Sequence, residues 1–146
     1  MKHVKAFEPW FFLFFGLFHL HRVWALFDRA GYAAFWMDLM ERRGPVYFGL
    51  MGLLICLCLL GIVTFFQNRR HNFWWRWIYL LGGGYLLFDL AAIAMDWKLW
   101  NRLIHWMFDI TMPYWNVLWM GFILLGAGAF ALGVGLLKSR SGRKNT

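Results

Sequence analysis

The chain has 146 residues, 62% of them hydrophobic and 22% aromatic, with 15% charged, a formal net charge of +8 and a mean hydropathy of +0.52. That is more apolar surface than one soluble core of this length can bury, so the composition excludes a soluble globular domain and points to an integral membrane protein. The positive charge is spread along the chain rather than gathered on one soluble face, which argues against nucleic acid as a partner and for membrane lipids.

Taken in chain order, Lys2 and Lys5 precede a first apolar block at about 10–27. Its length is close to the ~20 residues that an α-helix needs to cross ~30 Å of hydrocarbon. Val23-Trp24-Ala25 resembles a signal-peptide cleavage site, but the adjacent Arg22 and the bulky aromatics around it argue for a retained span. This block also holds the most informative chemistry of the chain, the stretch "FHLHR", which puts His19, His21 and Arg22 inside a lipid-compatible segment. His-x-His is a weak metal pattern because side chains two apart on a helix diverge. No Cys-x-x-Cys pattern accompanies it, and neither a metal nor a cofactor is expected.

Over about 32–43, Tyr32, Phe35, Trp36, Leu39 and Met40 recur at helical spacing opposite Asp38, Glu41 and Arg42. This is the pattern of an amphipathic helix lying on a membrane surface. A second span is predicted at about 46–66, with Pro45 tolerated in its first turn. Cys56 and Cys58 within it point to different faces and read as packing residues. A basic loop with Arg69, Arg70, His71 and Arg76 leads to a third span at about 77–95, on which Tyr85, Asp89 and Asp96 share one face at steps of four and seven. Trp100, Leu103, Ile104, Met107 and Phe108 then repeat the surface pattern over about 98–110, with Asn101, Arg102, His105 and Asp109 toward water. A fourth span at about 114–137 carries Asn116 near its start and runs into a basic tail, 138–146.

The predicted fold is therefore all-α and integral to the membrane: one domain forming a four-transmembrane-helix bundle with two external amphipathic interfacial helices. A shift of 68 residues carries Gly16 to Gly84, Asp28 to Asp96, Glu41 to Asp109 and Pro45 to Pro113. A tandem two-helix repeat is one reading of that shift, and two similar solutions to crossing a bilayer is the other. Gly49, Gly52, Gly82, Gly83 and Gly84, with Ala127, Ala131 and Gly135, are the small residues expected to line helix contacts. Four spans put both termini and the middle loop on one side with nine cations, against six cations offset by five acidic residues on the other. The positive-inside rule then places both termini in the cytoplasm and the protein in the cell inner (plasma) membrane.

An unpaired carboxylate near the bilayer centre costs roughly 2.5 to 3.5 kcal/mol. Asp89 is accordingly expected to face the bundle and meet Arg22, His21 or His19, with Tyr85 and Asp96 on its own face and Asn116 at an outward mouth. One reading makes this a buried ion pair that fixes helix register. A second makes it an outward-opening polar pocket for a small or lipid-like ligand, or part of an accessory subunit, in a homo-oligomer or a larger membrane complex. A third is a small membrane enzyme using His/Asp acid–base chemistry on a lipophilic substrate. The layout of four spans with surface helices outside resembles the DoxX-type small membrane proteins, and an acidic and histidine cluster within four spans is similar to the sterol-isomerase-like membrane family. The likeness is one of layout, and it transfers no residue roles.

Overall fold

The computed structural model describes residues 4–71 and 73–142. Lys2, Arg143 and Lys144, counted above in the topology, lie outside the described residues, as does the His71 side chain. Of the described residues 86% are helical and none is in a strand, and four helical segments are long and apolar enough to cross a membrane: Glu8–Phe27, Pro45–Gln67, Trp74–Ala94 and Trp115–Ser139. The chain divides into two compact units, a middle unit of Trp36–Phe108 and a terminal unit made of residues 4–35 and 109–142.

In the terminal unit the first apolar segment is not one uniform α-helix. Helix α1 (Glu8–Leu20) gives way to a 3-10 turn at His21–Val23 and resumes as α2 (Trp24–Phe27). Pro9 sits in the first turn of α1, where its missing N–H removes no helical bond, and the Glu8 carboxylate accepts the Lys5 backbone N–H at 2.6 Å. Asp28 then caps α3 (Arg29–Arg42), accepting the Gly31 N–H at 2.8 Å. The helix therefore starts three residues earlier than its apolar periodicity implies. Helix α7 (Trp115–Gly142) continues into the segment expected to be a tail.

The main packing of the terminal unit is α1 along α7. A Cβ added at Gly16 would fall 2.6 Å from the Phe130 Cβ, one at Gly126 would fall 2.6 Å from the His19 Cβ, and one at Gly133 would fall 2.9 Å from the Pro9 carbonyl oxygen. These glycines let two backbones approach where no hydrophobic force pulls helices together in lipid. The expected contact residues Ala127, Ala131 and Gly135 are instead exposed. They lie roughly 100° to 180° around α7 from the face set by Trp115, Trp119, Gly126 and Gly133.

In the middle unit α4 (Pro45–Gln67) packs on α5 (Trp77–Ala94), followed by α6 (Lys98–Met107). A Cβ added at Gly61 would fall 3.1 Å from the Tyr79 ring and one at Gly83 would fall 3.5 Å from the Ile62 side chain, whereas one at Gly49, Gly52 or Gly84 would meet nothing within 4 Å. Cys56 is exposed and Cys58 buried, as their spacing implies. Arg76, read from the sequence as a loop cation, is fully buried with its guanidinium carbon 5.1 Å from the Phe73 ring centroid.

Two further boundaries differ from expectation. Helix α6 stops at Met107, and Asp109 lies beyond it as a turn residue whose carboxylate accepts the Thr111 hydroxyl at 2.6 Å and the Thr111 N–H at 2.9 Å. These bonds stabilise the charged form and hold the Asp109 carboxyl below the usual aspartate range. Helix α5 ends at Ala94, so Asp96 is not on the helical face of Tyr85 and Asp89.

Candidate functional site

The polar residues singled out in the sequence fall into both units. His19, His21, Arg22 and Asn116 belong to the terminal unit; Tyr85, Asp89 and Asp96 belong to the middle unit.

In the terminal unit the histidines are engaged close to home. His19 Nδ1 lies 2.9 Å from the Phe15 carbonyl oxygen and His21 Nδ1 contacts the Phe18 carbonyl. A carbonyl only accepts, so this contact assigns the ring proton to Nδ1 in both cases. His21 Nε2 then accepts from the Tyr32 hydroxyl at 3.4 Å, and the Tyr32 ring packs 5.0 Å from Trp119. The Arg22 guanidinium carbon sits 4.7 Å from the Phe122 ring centroid, 5.7 Å from Phe18 and 6.0 Å from Trp119, a cation held over aromatic faces. Trp115 donates its indole N–H to the Ala25 carbonyl at 2.7 Å, and Asn116 accepts from Arg29 at 3.0 Å. The cluster reads as a net of aromatic rings and carbonyls around α1, α2, α3 and α7.

Asp89 takes a partner within its own unit. Its carboxylate accepts the Trp100 indole N–H at 2.5 Å, and the Trp100 ring lies edge-on to Phe88 at 5.2 Å and to Tyr85 at 6.4 Å. This side-chain hydrogen bond ties α6 to α5.

Asp96 has a different setting. After Ala94 the Asp96 N–H bonds the Ile93 carbonyl at 3.2 Å and the Trp97 N–H bonds the Ala92 carbonyl at 3.0 Å, a Schellman ending with Asp96 in the left-handed position at φ 52°. Arg43, just past α3, is also left-handed, at φ 46°. Its guanidinium pairs with the Asp96 carboxylate and donates to the Ile93 carbonyl at 3.3 Å. Among the described residues these are the only non-glycines with positive φ, and they are the two ends of one ion pair.

Magnitudes bear on what this pair is for. A left-handed non-glycine residue costs roughly 1 to 2 kcal/mol, less for Asp than for Arg. The Arg43 and Asp96 side chains remain 36% and 64% exposed, and an exposed ion pair contributes about 0 to 1 kcal/mol. The pair does not offset the backbone strain of its own ends. At Asp96 the two Schellman hydrogen bonds offset part of that cost, and at Arg43 the bond to the Ile93 carbonyl adds to the pair.

The pair lines a cleft of about 320 Å³ in the middle unit. Met37, Met40, Ile93 and Ile104 form its apolar wall, and Glu41, Asn101 and His105 join Arg43 and Asp96 as its polar groups. The volume is at the lower end of the ~300–1,000 Å³ usual for small-molecule sites. Of the residues expected to form the polar pocket, Asp96 alone lines it; Met40, Glu41, Asn101, Ile104 and His105 were read as parts of the surface helices. Arg43 entered the sequence reading only as one of the six outward cations, and Gly44 beside it, the residue that local preference would make left-handed, is extended at φ −77° and caps α4. The one available signal was "RRGP", a cation at a helix end before a Gly-Pro restart.

Comparison with protein families, with characterised proteins and with solved structures finds no match to this chain. Its functional reading rests on geometry.

Proposed function

We propose that this is a multi-pass inner-membrane protein with both termini cytoplasmic, whose α3 and α6 lie in the outer interface and whose middle-unit cleft binds the head end of a lipid-like ligand. The excess of cations in the termini and the middle loop supports the orientation. The concentration of Trp100, Leu103, Ile104 and Met107 on one side of α6 supports an interfacial helix. The observation that carries the binding reading is the strained Arg43–Asp96 pair opening on a cleft with an apolar wall of Met37, Met40, Ile93 and Ile104. Charged groups beside such a wall suit a molecule that is polar at one end and apolar at the other.

Labelling in vesicles tests this. Phospholipids carrying a photoreactive acyl-chain group should crosslink to residues 37–43 and 93–105 several-fold more than to the exposed faces of α1 and α7, and Ile104→Trp, which fills the cleft, should abolish the enrichment. Uniform labelling unaffected by the filling substitution would overturn the binding reading. With Cys56 and Cys58 removed, cysteine substituted for Asp38 should react with an impermeant thiol reagent in intact cells and cysteine substituted for Ser141 should not. The reverse order would overturn the orientation.

A further inference from the structure

Within that reading, the charges around the cleft specify the kind of head it takes. One cation, Arg43, and two carboxylates, Glu41 and Asp96, face it, with the Asn101 amide and the His105 imidazole completing the polar lining. The Arg43 guanidinium also lies against the Ile93 carbonyl at the C-terminus of α5, where the helix dipole places partial negative charge. A purely anionic head entering here meets two carboxylates and a helix C-terminus. A purely cationic head meets Arg43 already seated on Asp96. A zwitterion meets neither obstacle, because its anion can take Arg43 while its cation takes Asp96, so one ion pair is exchanged for two without a change in net charge.

We propose that the cleft selects a zwitterionic head in which a phosphate adjoins a primary ammonium, as in phosphoethanolamine. The ammonium carries three N–H donors, enough for Asp96, Glu41 and a cleft carbonyl or amide oxygen. A quaternary ammonium has none and leaves the carboxylates without hydrogen bonds, so choline heads are discriminated against. The phosphate suits the planar donor fork of Arg43, which can engage two of its oxygens. Met37 and Met40, flexible and polarisable, can accommodate the start of an acyl chain beside Ile93 and Ile104. The backbone strain fits this exchange: the left-handed conformations hold both ends of the pair at the rim, half exposed, rather than in a closed and dry contact.

The test uses the full chain in vesicles with three photoreactive probes at equal mole fraction, alike in their chains and differing in head: phosphatidylethanolamine, phosphatidylcholine and phosphatidylglycerol. The ethanolamine probe should label residues 37–43 and 93–105 at least five-fold more than either other probe. Asp96→Asn should bring that preference within two-fold by lowering the labelling by the ethanolamine probe; asparagine tolerates the left-handed conformation, and an unchanged thermal melt by circular dichroism shows that the fold is retained. Soluble phosphoethanolamine that displaces the lipid probe assigns the site to a free head, and displacement by unlabelled phosphatidylethanolamine alone assigns it to a membrane lipid; both keep the zwitterion. Equal labelling by all three probes, a preference for the glycerol head, or a preference untouched by Asp96→Asn overturns the selectivity and leaves the lipid-binding cleft standing. Absence of cleft labelling by every probe overturns both.

Discussion

The two units solve the problem of polar groups in an apolar chain in opposite ways. In the terminal unit His19 and His21 turn back to carbonyls of their own helix, and Arg22 lies over the rings of Phe18, Trp119 and Phe122. In the middle unit Arg43 and Asp96 hold each other at the rim of a cleft, half exposed and on strained backbone. The first arrangement sets its polar groups among rings and carbonyls of its own unit; the second sets them at the rim of a cleft.

The terminal unit depends most on the close approach of α1 and α7. Gly126→Val puts a side chain where its Cβ already lies 2.6 Å from the His19 Cβ and 3.3 Å from the His19 carbonyl carbon. Backbone is among the obstructing atoms, so the helices must separate, and a loss of about 3 kcal/mol is expected in unfolding measured in detergent micelles. Gly135→Val on the open face of the same helix should change little. Equal effects at the two positions would mean that the closeness of α1 and α7 is not what holds this unit together.

Arg22→Met sharpens the contrast. It keeps an unbranched apolar stem among the rings and removes only the cation, so stability should fall by about 1 kcal/mol, the scale of a partly desolvated cation–π contact. Lipid crosslinking at the middle-unit cleft should be unchanged. Lost crosslinking would make Arg22 part of the binding function and dissolve the distinction between the clusters.

Arg43→Gly should move the two readouts in opposite directions. Glycine adopts φ 46° without strain, so relief of about 1 kcal/mol or slightly less is expected even after the exposed ion pair is lost. Ligand labelling should collapse because the phosphate partner is gone. A variant that is both less stable and fully labelled would reduce the pair to an ordinary structural clamp.

The helical class and the four apolar segments were legible in the sequence because lipid demands long uninterrupted runs, and those runs are visible one residue at a time. The divergent faces of Cys56 and Cys58 followed from helix geometry alone. The working contact glycines were not legible: Gly126 and Gly133 differ from Ala127, Ala131 and Gly135 only in which way α7 is turned, and that is decided by the partner helix. Asp89 accepts the indole N–H of a tryptophan eleven residues on, a donor that pairing by charge does not consider. The cleft was hidden for a third reason. Left-handed backbone at Arg43 and Asp96 contradicts local preference, and a preference-based reading assigns that conformation to Gly44.

The smallest expected effect concerns the turn beyond α6. Asp109 is held in its charged form by the Thr111 hydroxyl and backbone N–H, so its folded pKa lies below the usual aspartate value of about 3.9. A depressed carboxylate pKa means that the turn's contribution is fully present above the unfolded value and is lost as pH falls through the folded one. Near neutrality the local structure should be insensitive to pH, and as pH falls through the folded value the Thr111 amide should lose protection relative to its intrinsic exchange rate. Thr111→Val removes the leading cause and retains the backbone bond, so it should move the Asp109 titration part of the way back toward the ordinary value in an NMR pH series. Because the carboxylate is fully exposed, the global melt should hardly respond, and the middle-unit cleft should label as before. A Thr111→Val variant that lost cleft labelling would extend the functional region beyond α6 and blur the boundary between the two units that begins at Asp109.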